Sequence, residues 1–152
     1  MMDADELAFR LLDNDKSIQI FDFRTKEEFK ELSLPRSSNW VLDNVFGKDI
    51  HKKLVTKNMK NVIIANDETE GKKLAFIASE LGYKYVYVLK GGMNEFKNEI
   101  LNFKKPETAT RQMIATYDFR EKASKRLPEL IEANKKLMNT DEKKTKRVVG
   151  GC

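Results

Sequence analysis

The chain has 152 residues, of which 40% are hydrophobic and 35% charged, so it fits one folded domain with an appended segment. No apolar run approaches the roughly 20 residues of a membrane-spanning helix. Residues 1–10 lack the basic and apolar regions of a secretion signal. The single cysteine, Cys152, excludes an internal disulfide and fits a reducing cytoplasm.

The charge is unevenly distributed along the chain. Residues 1–103 carry 16 Lys and Arg against 17 Asp and Glu, a net of −1. Residues 104–152 carry 13 against 7, a net of +6. A basic segment can bind nucleic acid or an anionic membrane. Because these charges are diffuse, we interpret the segment as a solvated extension and expect no nucleic-acid partner.

Apolar periodicity predicts strands that alternate with helices. In chain order we expect a helix in residues 3–14, a strand in 17–24, a helix in 25–32 opened by a Thr25–Glu28 capping box, a brief strand in 38–41, one or two short helices in 43–58, a buried strand in 61–65, a helix in 70–82, a strand in 84–92 and a helix in 93–103. This alternation predicts an α/β domain whose largely parallel sheet has helices on both faces.

The chain changes character after residue 103. We expect residues 104–138 to form a helical extension with one apolar stripe, which consists of Phe119, Ala123, Leu127 and Ile131. We expect Pro128 to kink or restart this helix. The stripe should dock on the body, on another copy or on a protein partner. Residues 139–152 predict a basic, disordered tail that ends in Gly-Gly-Cys.

Two stretches resemble rhodanese-like domains. "DFRTKEEF" (residues 22–29) matches the family's Asp-x-Arg-x-x-x-Glu-Phe pattern, and "GYKYVYVLKGGMNEF" (residues 82–96) matches its Gly-Tyr-x-x-Val-x-x-Leu-x-Gly-Gly ending. The resemblance covers residues 3–103. It implies a three-layer sandwich around a central, mainly parallel five-stranded sheet, with the helical extension added to it.

The same resemblance places a degenerate loop where the family carries its catalytic one. The nucleophilic cysteine falls on Ala65, and the six-residue loop consists of Ala65, Asn66, Asp67, Glu68, Thr69 and Glu70. At about 5 Å and an effective dielectric near 20, each carboxylate costs a bound anion roughly 3 kcal/mol. The loop dipoles return only about 1 kcal/mol apiece. We therefore expect no catalytic residue in this loop, no rhodanese-type sulfur transfer and no cofactor.

Other polar residues have two interpretations. Asp22 and Arg24 could line a ligand pocket, or Asp22 could cap the next helix while Arg24 pairs with a carboxylate. The loop carboxylates could hold a hard cation, or they could face the positive end of a helix, which we favour. We expect His51 to be a surface histidine. We expect no metal site.

The resemblance implies a non-catalytic binding or regulatory module associated with sulfur metabolism or transport. Rhodanese-like domains also occur as cytosolic parts of membrane proteins. We therefore expect a cytoplasmic location, including the cytosolic face of a membrane, although the chain has no transmembrane segment of its own. The alternative is an enzyme or carrier in which Cys152, at a mobile end near lysines and arginines, acts as a persulfide arm.

Overall fold

The computed structural model describes residues 1–40 and 47–149. Within these residues the chain forms four strands, six α-helices and one π-helical turn. They are α1 (Ala4–Leu12), β1 (Ile18–Asp22), α2 (Lys26–Glu31), β2 (Ser37–Asn39), α3 (Lys48–Leu54), β3 (Lys60–Ile64), α4 (Glu68–Glu80), β4 (Val86–Val88), α5 (Gly92–Phe96), the π-helical turn Lys97–Leu101 and α6 (Arg111–Val149).

The strands form one fully parallel sheet with the order β2-β1-β3-β4. The expected α/β class is confirmed, but the expected five strands are wrong for the described residues, which contain four. At the outer edge of β4, Met2 forms an isolated parallel bridge with Leu89. Because α1 begins at Ala4, the chain turns into a helix before this bridge can lengthen into a fifth strand.

Strand side chains alternate between two cores, which makes the three layers. Ile20 and Val62 belong to a core shared with α1, α5 and α6. Phe21 and Ile63, their neighbours in sequence, belong to a second core with α3 and α4. Because β1 and β3 are buried on both faces, they carry the near-continuous apolar runs typical of parallel sheets.

Local signals explain where two helices begin and end. The Thr25 hydroxyl accepts the Glu28 N–H, and the Glu28 carboxylate accepts the Thr25 N–H, so the predicted capping box at α2 is present. Helix α4 ends in a Schellman arrangement, with Tyr83 N–H donating to the Ala78 carbonyl and Gly82 at φ +85°. No helix in residues 1–40 and 47–149 combines the length and apolar character needed to cross a bilayer.

Helix α6 is longer than the sequence predicts. It begins at Arg111 and continues past residue 138, the expected end of the extension, to Val149. Pro128 lies inside the helix, with helical residues on either side of it. Proline has no backbone N–H, so the Ser124 carbonyl loses its usual helical hydrogen bond. Because Pro128 is exposed and Ser124 is half-buried, water can replace that bond.

The apolar stripe of α6 docks on the body, as one of the sequence-based alternatives proposed. Ala123 and Leu127 are fully buried and Ile131 is 7% exposed, all in the core shared with α1 and α5. Arg120 adds an anchor, since its guanidinium donates to both oxygens of Asp5 at 2.8 and 2.7 Å. The extension is therefore part of the hydrophobic core.

Candidate functional site

Residues 65–70, which the sequence resemblance aligns with the catalytic loop of rhodanese-like domains, follow the carboxyl end of the interior strand β3. Ala65 directly follows β3 and is 1% exposed, so its methyl group is packed inside the protein. The Ala65 carbonyl accepts the Met93 N–H at 2.9 Å, and the Asn66 carbonyl accepts the Asn94 N–H at 3.1 Å. The loop backbone is therefore tied to the first turn of α5.

The turn between β4 and α5 approaches this loop closely. Gly91 and Gly92 adopt the left-handed φ values of +71° and +65°. A Cβ on Gly92 would lie only 2.5 Å from the Asn66 carbonyl oxygen, so glycine is required there for space as well as for conformation. Gly92 therefore allows the backbone of this turn to approach the backbone of the loop closely.

Two of the three acidic side chains of the loop, Asp67 and Glu68, accept backbone N–H groups of the protein itself. Asp67 is the N-cap of α4, and its carboxylate accepts the Glu70 N–H at 2.9 Å. The Glu68 carboxylate accepts the Gly91 N–H at 2.9 Å and forms an ion pair with Lys72. The Lys72 ammonium, followed by the Gly91 N–H, holds the pKa of Glu68 below its ordinary value. Internal anions thus already use these N–H groups.

Asp22 and Arg24 form a pair that is closed to solvent. The Asp22 carboxylate accepts the Arg24 Nε at 3.0 Å and its Nη2 at 2.7 Å, and both side chains are fully buried. Arg24 Nη2 also donates to the Leu32 carbonyl at 2.7 Å, whereas Nη1 has no hydrogen-bond partner among the described residues. The cap of α2 is Thr25 rather than Asp22. A ligand could reach this pair only after local opening.

Glu28 contacts the candidate loop, although the sequence interpretation used it only in the capping box and the family pattern. One of its carboxylate oxygens completes the capping box, while the other accepts the Asn66 side-chain N–H at 3.1 Å. Hydrogen bonds from the backbone and then the side chain of Thr25 lower the pKa of Glu28. Helix α2 is thereby joined to the loop after β3. No local pattern signals this contact, because it spans 38 residues.

Two candidates remain, His51 and Cys152. His51 is exposed on α3, where its Nδ1 lies 2.5 Å from the Tyr83 hydroxyl. Cys152, the carrier candidate, lies outside the described residues. Within the described part of the chain, no three His, Cys, Asp or Glu side chains are grouped as metal ligands would be.

Comparison with known proteins agrees with the resemblance seen in the sequence. The profile of the family described as "Rhodanese-like domain" matches residues 3–99. An uncharacterized protein of Buchnera aphidicola subsp. Acyrthosiphon pisum is 30% identical over 94 residues, which are 62% of this chain and 65% of that protein. The match therefore spans less than two thirds of that relative's own length.

Solved structures share the fold. A rhodanese-like domain protein of Staphylococcus aureus superposes with a TM-score of 0.54 at 26% identity, covering 68% of this chain and 97% of its own. The Alr3790 protein of Anabaena sp. gives 0.57 at 16% identity, covering 84% and 98%. Since 84% of 152 residues is about 128, that superposition includes part of α6. With its family profile matched over most of its length, the chain belongs to the rhodanese-like domain family.

Proposed function

We propose that this chain is a non-catalytic rhodanese-like binding module, acting in sulfur metabolism or transport. The observation that carries the proposal is the Asp67 carboxylate, which accepts the Glu70 N–H, one of the loop's own backbone donors, at 2.9 Å. A sulfur-transferring loop must keep its backbone N–H groups available to a thiolate and to an anionic donor. Here an internal carboxylate uses such a group, and Ala65 offers no nucleophile.

The way the loop is held also favours a binding role. Side-chain and backbone hydrogen bonds join it to α2 through Glu28, to the glycine turn through Glu68 and to α5 through Met93. These bonds hold a fixed surface at the carboxyl end of the sheet, where α/β proteins usually bind their ligands. A pre-organised surface lowers the entropic cost of binding a partner.

The alternative persulfide carrier needs a long flexible arm for Cys152. Residues 139–149 are helical, which leaves less of the segment available as a flexible arm. From Met138 to Val149 the helix rises about 16 Å. The module is therefore the better-supported function.

The test is a sulfur-transfer assay on the full chain and on Cys152→Ser, with thiosulfate or a low-molecular-weight persulfide as donor and cyanide as acceptor. An active rhodanese serves as the positive control. The proposal predicts thiocyanate at the no-protein background with both proteins. Production that disappears in Cys152→Ser would favour the carrier. Production that persists in both would place sulfur chemistry in the body of the domain and contradict the proposal.

A further inference from the structure

The outward face of α4 exposes large apolar side chains. Phe76 is 66% exposed, Ile77 45% and Leu81 57%, although Leu74 and Ala78 on the inner face are buried. Phe76 and Ile77 line a shallow groove of about 700 Å³ together with Thr69, Lys72 and Lys73. Exposed apolar side chains that adjoin one another and are bordered by polar residues mark this face as a candidate interface.

Two opposite charges lie symmetrically about the apolar pair. Lys73 lies three residues before Phe76, and Glu80 lies three residues after Ile77; both charged side chains are exposed. Positions seven apart differ by only about 20° around a helix, so Lys73 and Glu80 lie on one line along α4. Phe76 and Ile77 lie on either side of that line. They are about 10.5 Å apart along the helix axis, too far to pair with each other.

We propose that a second copy of this chain occupies the α4 face, with the two α4 helices antiparallel about a two-fold axis between Phe76 and Ile77. This symmetry places Lys73 opposite Glu80 of the other copy, twice in the dimer, and packs Phe76 against Phe76 and Ile77 against Ile77 of the other copy. An isologous contact requires a patch that complements itself, and the charge order along α4 meets this requirement.

The size of the contact sets its strength. Helix α4 has 13 residues and is about 20 Å long. A pair of such helices buries less than about 1,200 Å², which belongs to the small, transient class of interfaces. The dissociation constant should therefore be micromolar or weaker, so the dimer forms at high concentration or where the chain is held near its copy.

Sedimentation equilibrium of the full chain, with a reducing agent to prevent disulfides through Cys152, tests the proposal from about 10 μM to about 1 mM. The wild type should show a reversible monomer–dimer equilibrium. Phe76→Glu should weaken dimerisation at least about tenfold. Phe9→Glu is the matched control, because Phe9 is 58% exposed on α1, and it should leave the constant unchanged.

Charge exchange tests the register. Lys73→Glu and Glu80→Lys should each weaken the dimer about tenfold by creating two repulsive pairs, and the double variant should restore it. Far-UV circular dichroism should show unchanged folding, since all the substituted side chains are exposed. A chain that stays monomeric at 1 mM, a dimer lost in Phe9→Glu but kept in Phe76→Glu, or a double variant as weak as the singles would overturn the proposal.

Discussion

Replacing Leu127 by alanine should destabilise the whole domain, because α6 is part of its core. Leu127 is 0% exposed and belongs to the core formed with α1, β1, β3 and α5. The substitution removes three buried carbon atoms, worth about 2.4 kcal/mol at about 0.8 kcal/mol each. The cavity left behind adds to this, so we expect a loss of about 3 kcal/mol in the free energy of unfolding.

The assay is urea unfolding followed by tryptophan fluorescence. Trp40, the single tryptophan, packs beside Phe21 on the opposite face of the sheet from α6. Its fluorescence therefore reports the body and not the helix that is substituted. With a slope of about 2 kcal/mol per M, Leu127→Ala should lower the midpoint by about 1.5 M.

Leu137→Ala is the matched control on the same helix. Leu137 is 67% exposed, so its truncation should change the free energy of unfolding by less than about 0.5 kcal/mol. A Trp40 midpoint that is unchanged in Leu127→Ala, or lowered equally by both variants, would mean that α6 folds independently of the body and would refute the reasoning.

Three further predictions concern the body, each checked by urea unfolding. Arg24→Ala leaves the buried Asp22 carboxylate without its ion-pair partner and should lower the free energy of unfolding by about 3–5 kcal/mol. A variant as stable as the wild type would show that water reaches the pair. Gly92→Ala combines a left-handed φ with a backbone clash; it should cost about 2 kcal/mol more than Gly82→Ala, whose φ is also positive but whose Cβ meets open space. Hydrogen bonds from Ser17 lower the pKa of Asp15 from 3.8 to about 2. The ionised Asp15 carboxyl therefore stabilises the fold above pH 3.8, and this contribution is lost as the pH falls towards 2. In Asp15→Asn, the free energy of unfolding should fall by about 1 kcal/mol less than in the wild type over the same pH range.

The sheet and most helices could be predicted because their signals are local. Apolar runs mark β1 and β3, and the helical spacing of Leu74, Ile77, Ala78 and Leu81 marks α4, although only Leu74 and Ala78 of these four are buried. The capping box depends on two residues that are three apart in the sequence. The end of α4 depends on the left-handed conformation of one residue, Gly82. Neighbours in sequence decide these features, so tertiary contacts are not needed to foresee them.

The extent of α6 and the strand count depend on longer-range information. A proline inside a helical pattern usually indicates a break, yet an exposed proline such as Pro128 can be accommodated when its ring faces water. The family resemblance suggested five strands, but here α1 begins two residues after Met2 and the edge is reduced to one bridge.

The contacts of the candidate site were also beyond local reasoning. Glu68 and Gly91 are 23 residues apart, and Glu28 and Asn66 are 38 apart. The sequence favoured loop carboxylates that face the positive end of a helix, as Asp67 does at the N-cap of α4, but it did not indicate the bond between Glu68 and the Gly91 N–H. The paired glycines were the one available signal, since a second glycine in a turn often marks a close backbone approach.

The most direct test of the central claim is the thiol pKa of Ala65→Cys, made in the Cys152→Ser background and read from the pH dependence of alkylation. If internal carboxylates use the donors around the loop and burial disfavours charge, the pKa should be at or above about 8.5, without thiosulfate turnover. Adding Glu68→Gln should lower it. A thiol pKa near 7 or below in the variant that retains Glu68, or measurable thiocyanate production from it, would contradict the account.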